Sequence, residues 1–326
     1  MKFAAFISLA TFATASQRSL LDKRNEVARR KASEACSIGY CTQNGGTTGG
    51  VGGETVTVTD VDSLVNAAEQ DGPLTIIVSG AITGAAKVRV SANKTIYGEE
   101  GSSLTGVGFY IRRTSNVIVR NMKIAKVEAE NGDAIGIDGS SNVWIDHCDL
   151  SSDLNHDKDY YDGLVDITHA SEWITVSNTY FHDHWKASLI GHSDNNADED
   201  QGTLHVTYAG NHFYNTYSRT PSVRFGTLHI INTFWDTLIS SGVNCRMGAQ
   251  VLIQSSAFKN SSEKAVFFAD SDETGYAILQ DVDLGGSENT VPAGTLTANS
   301  LPYDPIQALG SAAVAGSIPN SAGQKL

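Results

Sequence analysis

The chain has 326 residues, with 23 Lys and Arg against 36 Asp and Glu, a formal net charge of −13, and 40% hydrophobic residues. That balance excludes a disordered or fibrous polymer, and any nucleic-acid binder that works through a broad basic surface. It also weighs against polyanionic partners in general.

Met1-Lys2, the apolar run Phe3 to Ala10 and the small residues Ala13-Thr-Ala-Ser16 follow the order of a secretory signal peptide, assigned here to residues 1–16. Residues 17–30, with the dibasic pairs Lys23-Arg24 and Arg29-Arg30 as candidate processing sites, read as a short propeptide or a disordered segment, and 31–326 is expected to form a single domain. Residues 1–30 carry +4, which leaves −17 on a mature chain. The apolar run is too short to span a bilayer, which needs ~20 residues, so a secreted, extracellular protein without membrane attachment is expected. Secretion permits disulfides. Cys36 and Cys41 are close enough for a small loop bridge, whereas Cys148 and Cys245 read equally as a pair or as buried thiols. None has C-x-x-C zinc spacing. Asn93-Lys-Thr95 and Asn260-Ser-Ser262 are acceptor sequences for glycosylation.

Asp60 to Gln70 predicts a short helix capped by Asp60 or Asp62, with apolar residues at 61, 64, 65 and 68. It lies between predicted strands at 54–59 and 74–80. From residue 116 one pattern recurs: two alternating apolar residues, a polar residue, then an apolar residue three further on. It reads Val117-x-Val119-x-Asn121-x-x-Ile124, Val143-x-Ile145-x-His147-x-x-Leu150 and Ile174-x-Val176-x-Asn178-x-x-Phe181. Further copies are Thr207-x-Ala209-x-Asn211-x-x-Tyr214, Leu228-x-Ile230-x-Asn232-x-x-Trp235 and Val251-x-Ile253-x-Ser255-x-x-Phe258. Alternation over a few residues is strand chemistry, and its return every 20–35 residues means units that bury a core only by stacking. The fold class is therefore all-β, a parallel β-helix closed at its N-terminal end by the short helix. The recurrent Asn is expected to point inward and bond up and down a ladder. The longest intervals fall at 147–211, where the functional face is expected. Past residue 285 the Gly-, Ser-, Ala- and Pro-rich tail is expected to pack outside the coils without chemistry of its own.

Four polar clusters fall on successive coils: Asn131-Gly-Asp133, Asp157 to Asp166, Phe181-His-Asp-His-Trp-Lys186, and Asn215 to Arg224. Coils stacked ~4.8 Å apart bring such segments together. Several carboxylates with neither Cys nor an evident His set make a hard oxygen site suited to Ca2+. Asp162 and Asp166, four apart, share a side of an extended chain. His182-Asp-His184 lacks a clear third ligand for zinc. Asp194 to Asp200 begins like an EF-hand loop but has Glu199 and His205 where Gly and Glu are required, so a solvated loop is expected. Trp144, Phe181 and Trp235 suit core stacking, and Trp185 is the aromatic placed near substrate.

Taken together, Val143-Trp-Ile-Asp-His147, Asp162-Gly-Leu-Val-Asp166, Trp185-Lys-Ala-Ser188 and Arg219-Thr-Pro-Ser-Val-Arg224 resemble the polysaccharide lyase family 1 pectate lyases of the secreted fungal type. The resemblance covers nearly all of the chain after residue 35. It implies a right-handed parallel β-helix and Ca2+-dependent β-elimination on de-esterified polygalacturonate, giving 4,5-unsaturated oligogalacturonides. It implies Asp133, Asp162 and Asp166 as Ca2+ ligands, Arg219 as the proton-abstracting base, and Lys186 and Arg224 as contacts to substrate carboxylates. Some relatives carry an Asp where this chain has Asn131, which leaves one charge fewer at the metal. His147 falls on the repeat position and is read as structural.

Alternatives on the same fold are a pectin lyase acting on methyl-esterified substrate, disfavoured by the intact Asp set, and a non-catalytic module binding acidic glycans. A polygalacturonase would use paired carboxylates, and its Asn-Thr-Asp, Gly-His-Gly and Arg-Ile-Lys signatures are missing. The expected enzyme is a monomer with polygalacturonate as its partner. Lys186, Arg219 and Arg224 act at contact distance, so the acidic net charge, screened over ~8–10 Å, is compatible with a local cationic cleft.

Overall fold

A computed structural model describes residues 26–28, 30–261 and 264–326. The expected signal peptide, the Lys23-Arg24 site and the Ser262 end of the second glycosylation sequence lie outside these residues.

Alternating apolar residues fold here into short parallel strands that wind into three sheets, with neighbours in each sheet always one coil apart. The first sheet contains Ser115–Arg120, Ser141–Asp146, Glu172–Ser177, His205–Ala209 and Thr227–Ile231, in that spatial order. Its register aligns Val117, Val143, Ile174, Val206, Leu228 and Val251, all buried. The aligned residues stack on the next coil's equivalents, which is how units too small for a core of their own acquire one.

The repeat is confirmed in five of its six copies, and the fourth is corrected by one residue. Ser177 pairs with Ala209, so Gly210, not Asn211, is the counterpart of Asn178, and Phe213, not Tyr214, is the counterpart of Phe181. The reason lies in the backbone. Asn121, His147, Asn178, Asn232 and Ser255 all turn the chain at positive φ, between 47° and 55°, and Gly210 does so at 69°. Asn tolerates this left-handed conformation and Gly adopts it freely. The recurrent polar residue is thus a turn-former. Among the described residues these side chains do not bond one another in the expected ladder. Asn121 Nδ2 donates to Gly98 O at 2.7 Å, and Asn178 Nδ2 to Asp146 Oδ1 at 3.0 Å. An amide bond between coils occurs instead at another corner, where Asn116 Nδ2 donates to Asn93 Oδ1 at 2.8 Å.

Inside the coils, Phe181, Phe213, Trp235 and Phe258 form a continuous stack with centroids 4.5, 6.1 and 4.1 Å apart and rings within 9° of parallel. Trp144 is also buried, but outside the coil, against Cys41 and Ile118, with the Arg120 guanidinium 4.9 Å above its ring. Cys36 and Cys41 form the expected disulfide, whereas Cys148 and Cys245 are separate buried thiols, each pushed up to about 12 by burial.

The capping helix, Val61–Glu69, begins at Asp60, whose carboxylate accepts the Ser63 N–H at 2.8 Å, and it buries Leu64, Ala67 and Ala68 over the first coils. The tail returns along the outside of the stack. Its helix Ser311–Ser321 packs Val314 and Ile318 on Phe234 and Ala257. Its backbone N–H groups bond the turn column: Leu309 to Asn232, Gly310 to Ser255 and Leu326 to Asn121. The amides expected inside therefore partly serve to hold the tail. No helix among the described residues is long and apolar enough to cross a membrane.

Candidate active site

The chemistry-bearing residues sit where the second sheet, which contains Tyr180–Lys186 and His212–Ser218, turns into the third, which contains Ile135–Asp138, Val165–Thr168, Ser188–Ile190 and Ser222–Arg224. Asp133 precedes the strand Ile135–Asp138, Asp162 precedes Val165–Thr168 and Asp166 lies within it. Lys186 ends the strand Tyr180–Lys186, and Arg219 follows His212–Ser218 on the next coil, where Ser218 pairs with Lys186. Stacking alone thus gathers residues that are up to 86 positions apart in the chain.

Gly163 is the centre of the acidic group. Its N–H donates to Asp133 Oδ1 at 2.8 Å, and Asp166 Oδ1 accepts from Leu189 N–H at 3.0 Å. A Cβ at Gly163 would lie within 2.9 Å of Asp133 Oδ1 and nearer still to Asp166 Oδ1, so both carboxylates press on a position that must lack a side chain. Asp166 pairs in register with Gly136, where a Cβ would meet Asp133 Oδ2 at 2.9 Å. Enclosure pushes the Asp133 carboxyl up to about 6, with the Asp162 charge adding to it. The Asp166 carboxyl is raised well above the ordinary range, first by burial and then by Asp133, and the Arg219 charge offsets part of this. Like charges enclosed this closely are stabilised by a cation.

Among the described residues no group of three or more His, Cys, Asp or Glu side chains is placed so that it could hold a metal ion as it stands. Asp133, Asp162 and Asp166 are gathered around Gly163 without being closed. The donors are hard oxygens, and Ca2+ accepts flexible geometry from such ligands. The crowded Gly163 cradle and the enclosed carboxylates of Asp133 and Asp166 therefore fit a divalent cation. Asn131 ends a short 3-10 turn, Ala129–Asn131, next to this group.

Three cations face the acids, each differently committed. Lys186 is 15% exposed, and its Nζ is 3.3 Å from both Asp159 and Asp162. Arg219 turns at φ 58°, and its guanidinium has no hydrogen bond or ion pair among the described residues. It lines a cavity of about 270 Å³ with Ser222, Asn244 and Asp270. Arg224 is 8% exposed and tied down. Its Nε donates to Asp194 Oδ1 and its Nη1 to Gly191 O at 2.9 Å, leaving Nη2 without a partner among the described residues. Arg246, bonded to Ser271 and Asp270, is pushed down to about 10 by burial and by the Arg224 charge.

Two contacts lay beyond sequence reasoning. The loop at 194–200, expected to be solvated, instead fixes Asp194 between Arg224, Ser271 and the Asp272 N–H. His184 is buried, with Nε2 2.7 Å from Asp162 O and Nδ1 2.5 Å from Ser152 Oγ, so it positions the Asp162 loop. His182 is engaged by Asp149 and Asp183. Neither histidine is free for zinc. Trp185 donates to His156 O at 2.9 Å and packs on Tyr217 at 4.4 Å beside Lys186.

The family model described as "Pectate lyase" matches residues 8–325. A probable pectate lyase B from Aspergillus flavus is 69% identical over 326 residues, covering all of both chains. Pectate lyase B from Colletotrichum gloeosporioides is 57% identical, covering 94% of this chain and 90% of its own. Among solved structures, a Bacillus sp. N165 pectate lyase in complex with trigalacturonate aligns with TM-score 0.80 and 31% identity, covering 88% of this chain and 98% of that one. Pectate lyase II of Xanthomonas campestris aligns at 0.77 with 26% identity, covering 89% and 98%.

Proposed function

The chain belongs to the pectate lyase family, as a polysaccharide lyase with a parallel β-helix, and we propose that it cleaves de-esterified polygalacturonate by Ca2+-dependent β-elimination. The observation that carries the residue assignment is the juxtaposition of crowded carboxylates, Asp133 and Asp166, with an Arg219 that has no hydrogen bond or ion pair among the described residues. Asp133, Asp162 and Asp166 would hold the ion, which when bound neutralises the uronate carboxylate and acidifies the hydrogen at C5. The trigalacturonate named in the Bacillus complex supports a polyuronate in this cleft.

Lys186, on its mobile stem, exchanges its contacts to Asp159 and Asp162 for a substrate carboxylate. Arg224 offers Nη2, while Asp194 and Gly191 O keep the guanidinium plane fixed. Both cations stabilise charge that develops as the proton leaves. Arg219 takes the C5 proton on a guanidine nitrogen. The C–H electron pair becomes the C4–C5 double bond, the C4–O4 bond breaks with its electron pair going to O4, and O4 takes up a proton from solvent water. Guanidinium is ordinarily protonated, and activity is expected to rise in alkaline medium. We place the enzyme outside the cell on the signal-peptide pattern of residues 1–16.

The test is incubation with polygalacturonate while following the ultraviolet absorbance of unsaturated uronates, with and without chelator. Chelator-sensitive absorbance is expected. Reducing ends without absorbance, or absorbance that is indifferent to chelator and larger on esterified pectin, would refute the proposal.

A further inference from the structure

We propose that the chain carries a second glycan-binding site, for a neutral oligosaccharide, at the corner where the third sheet of one coil turns into the first sheet of the next. This corner is distinct from the one that holds Asp133, Asp166 and Arg219. A cavity of about 390 Å³ lies there, within the range of small-ligand sites. Its floor is a column of side chains at equivalent places on four consecutive coils. Trp173 and His205 immediately precede the paired residues Ile174 and Val206, His205 pairs with Thr227, and Thr227 with Gln250. At ~4.8 Å per coil the column runs ~14 Å along the solenoid, room for about two or three sugar rings laid end to end.

The walls suit a sugar. Trp173 stacks on His205 at 5.2 Å, an aromatic pair against which the apolar C–H groups of a pyranose can pack. Tyr40, from the disulfide-bridged N-terminal segment, closes one side and meets His205 at 5.3 Å, and Leu296 of the tail closes the other. Trp173 Nε1, His205 Nε2, Thr227 Oγ1 and Tyr40 Oη have no hydrogen-bond partner among the described residues, although each residue lines the cavity. Tyr40 is 2% exposed, yet none of these four atoms is among the described buried atoms sealed without a partner, so each is open to a ligand. Four such groups on one groove are what a ring of sugar hydroxyls satisfies.

Charge decides which sugar. Among the described residues no Lys or Arg lines the groove, and His205 is already matched by Glu172 at 2.9 Å. That set offers a uronate carboxylate no cationic partner and leaves an uncharged glycan. A peptide strand finds no free sheet edge here, because these strands are paired on both sides. The tail, expected to carry no chemistry, supplies one wall.

The experiment is affinity electrophoresis of the whole protein in native gels containing soluble galactan, arabinan, xyloglucan or, with chelator, polygalacturonate. Trp173→Ala removes the platform, and Thr227→Trp fills the groove from an outward-facing position without touching the core. Retardation by at least one neutral glycan is expected, with affinity reduced about tenfold or more in both variants and turnover of soluble polygalacturonate unchanged. Absence of retardation by any neutral glycan would overturn the proposal. So would retardation that survives both variants, or loss in the variants of binding to polygalacturonate alone.

Discussion

Gly163→Ala adds one methyl group at the point where the carboxylates of Asp133 and Asp166 converge. The backbone of Gly163 is not in the left-handed region, so the cost is steric and local. The new carbon would lie 2.9 Å from Asp133 Oδ1 and closer to Asp166 Oδ1, whereas unstrained neighbours stand at ~3.5 Å. Asp166 must retreat by roughly 1 Å, and its bond from Leu189 N–H is the contact at risk. Losing one charge-assisted bond costs about 1.5–3 kcal/mol. Displacing the groups that orient metal ligands typically weakens metal binding by about 10–100-fold, or ~1.4–2.7 kcal/mol. Calorimetric titration with CaCl2 should therefore show that loss, and the Ca2+ needed for half-maximal turnover should rise in parallel. Circular dichroism should be unchanged. In an Asp166→Ala background the same methyl group should cost little more, because the crowded partner is gone. Unaltered Ca2+ affinity in Gly163→Ala would refute the assignment of these carboxylates to the metal.

Arg219→Ala should fold normally, since its guanidinium makes no hydrogen bond or ion pair among the described residues, yet lose about 10²–10⁴-fold in kcat; comparable turnover in the variant would remove it as base. Phe213→Ala leaves a hole between Phe181 and Trp235 and should cost about 3–5 kcal/mol in urea unfolding, with a cost below ~1 kcal/mol contradicting the core stack. Burial pushes His212 and His229 down to about 4, below their ordinary ~6.5. Both are neutral in the fold and take up protons on unfolding, so their contribution is complete above ~6.5 and falls away as the pH drops towards 4, by ~3 kcal/mol each at most. His212→Phe, which preserves the ring between Tyr180 and Phe234 and removes an unpartnered buried nitrogen, should flatten the fall of the urea midpoint between neutral and acidic pH; an unchanged fall would contradict the assignment.

The fold was legible because a stacked core must repeat the same apolar spacing on every coil, and the acidic and basic clusters were legible because they stood on consecutive repeats. The slip at Asn211 has a physical cause. Gly210 satisfies the same left-handed turn as Asn elsewhere, so the polar marker moved while the backbone did not. Pairings such as Arg224 with Asp194, His184 with Asp162 O, or Trp173 with His205 join residues about 20–30 positions apart through loops of unequal length. No local pattern encodes them. The inertness of Cys148 and Cys245 was equally hidden, because it depends on which coil each thiol enters.

The returning tail changes what kind of object the solenoid is. A stack whose units touch only their neighbours can fray from either end. Here Gln324 donates to Ser102 O and Asn121 O, both at 2.9 Å, so the last residues are fastened near the early coils while residue 311 is bonded to Asp281 on a late one. The strip behaves as a latch across a coiled spring: late coils cannot loosen without releasing early ones. Unfolding is then expected to be one event shared by the whole array, and the final docking of the chain end becomes the step that closes it.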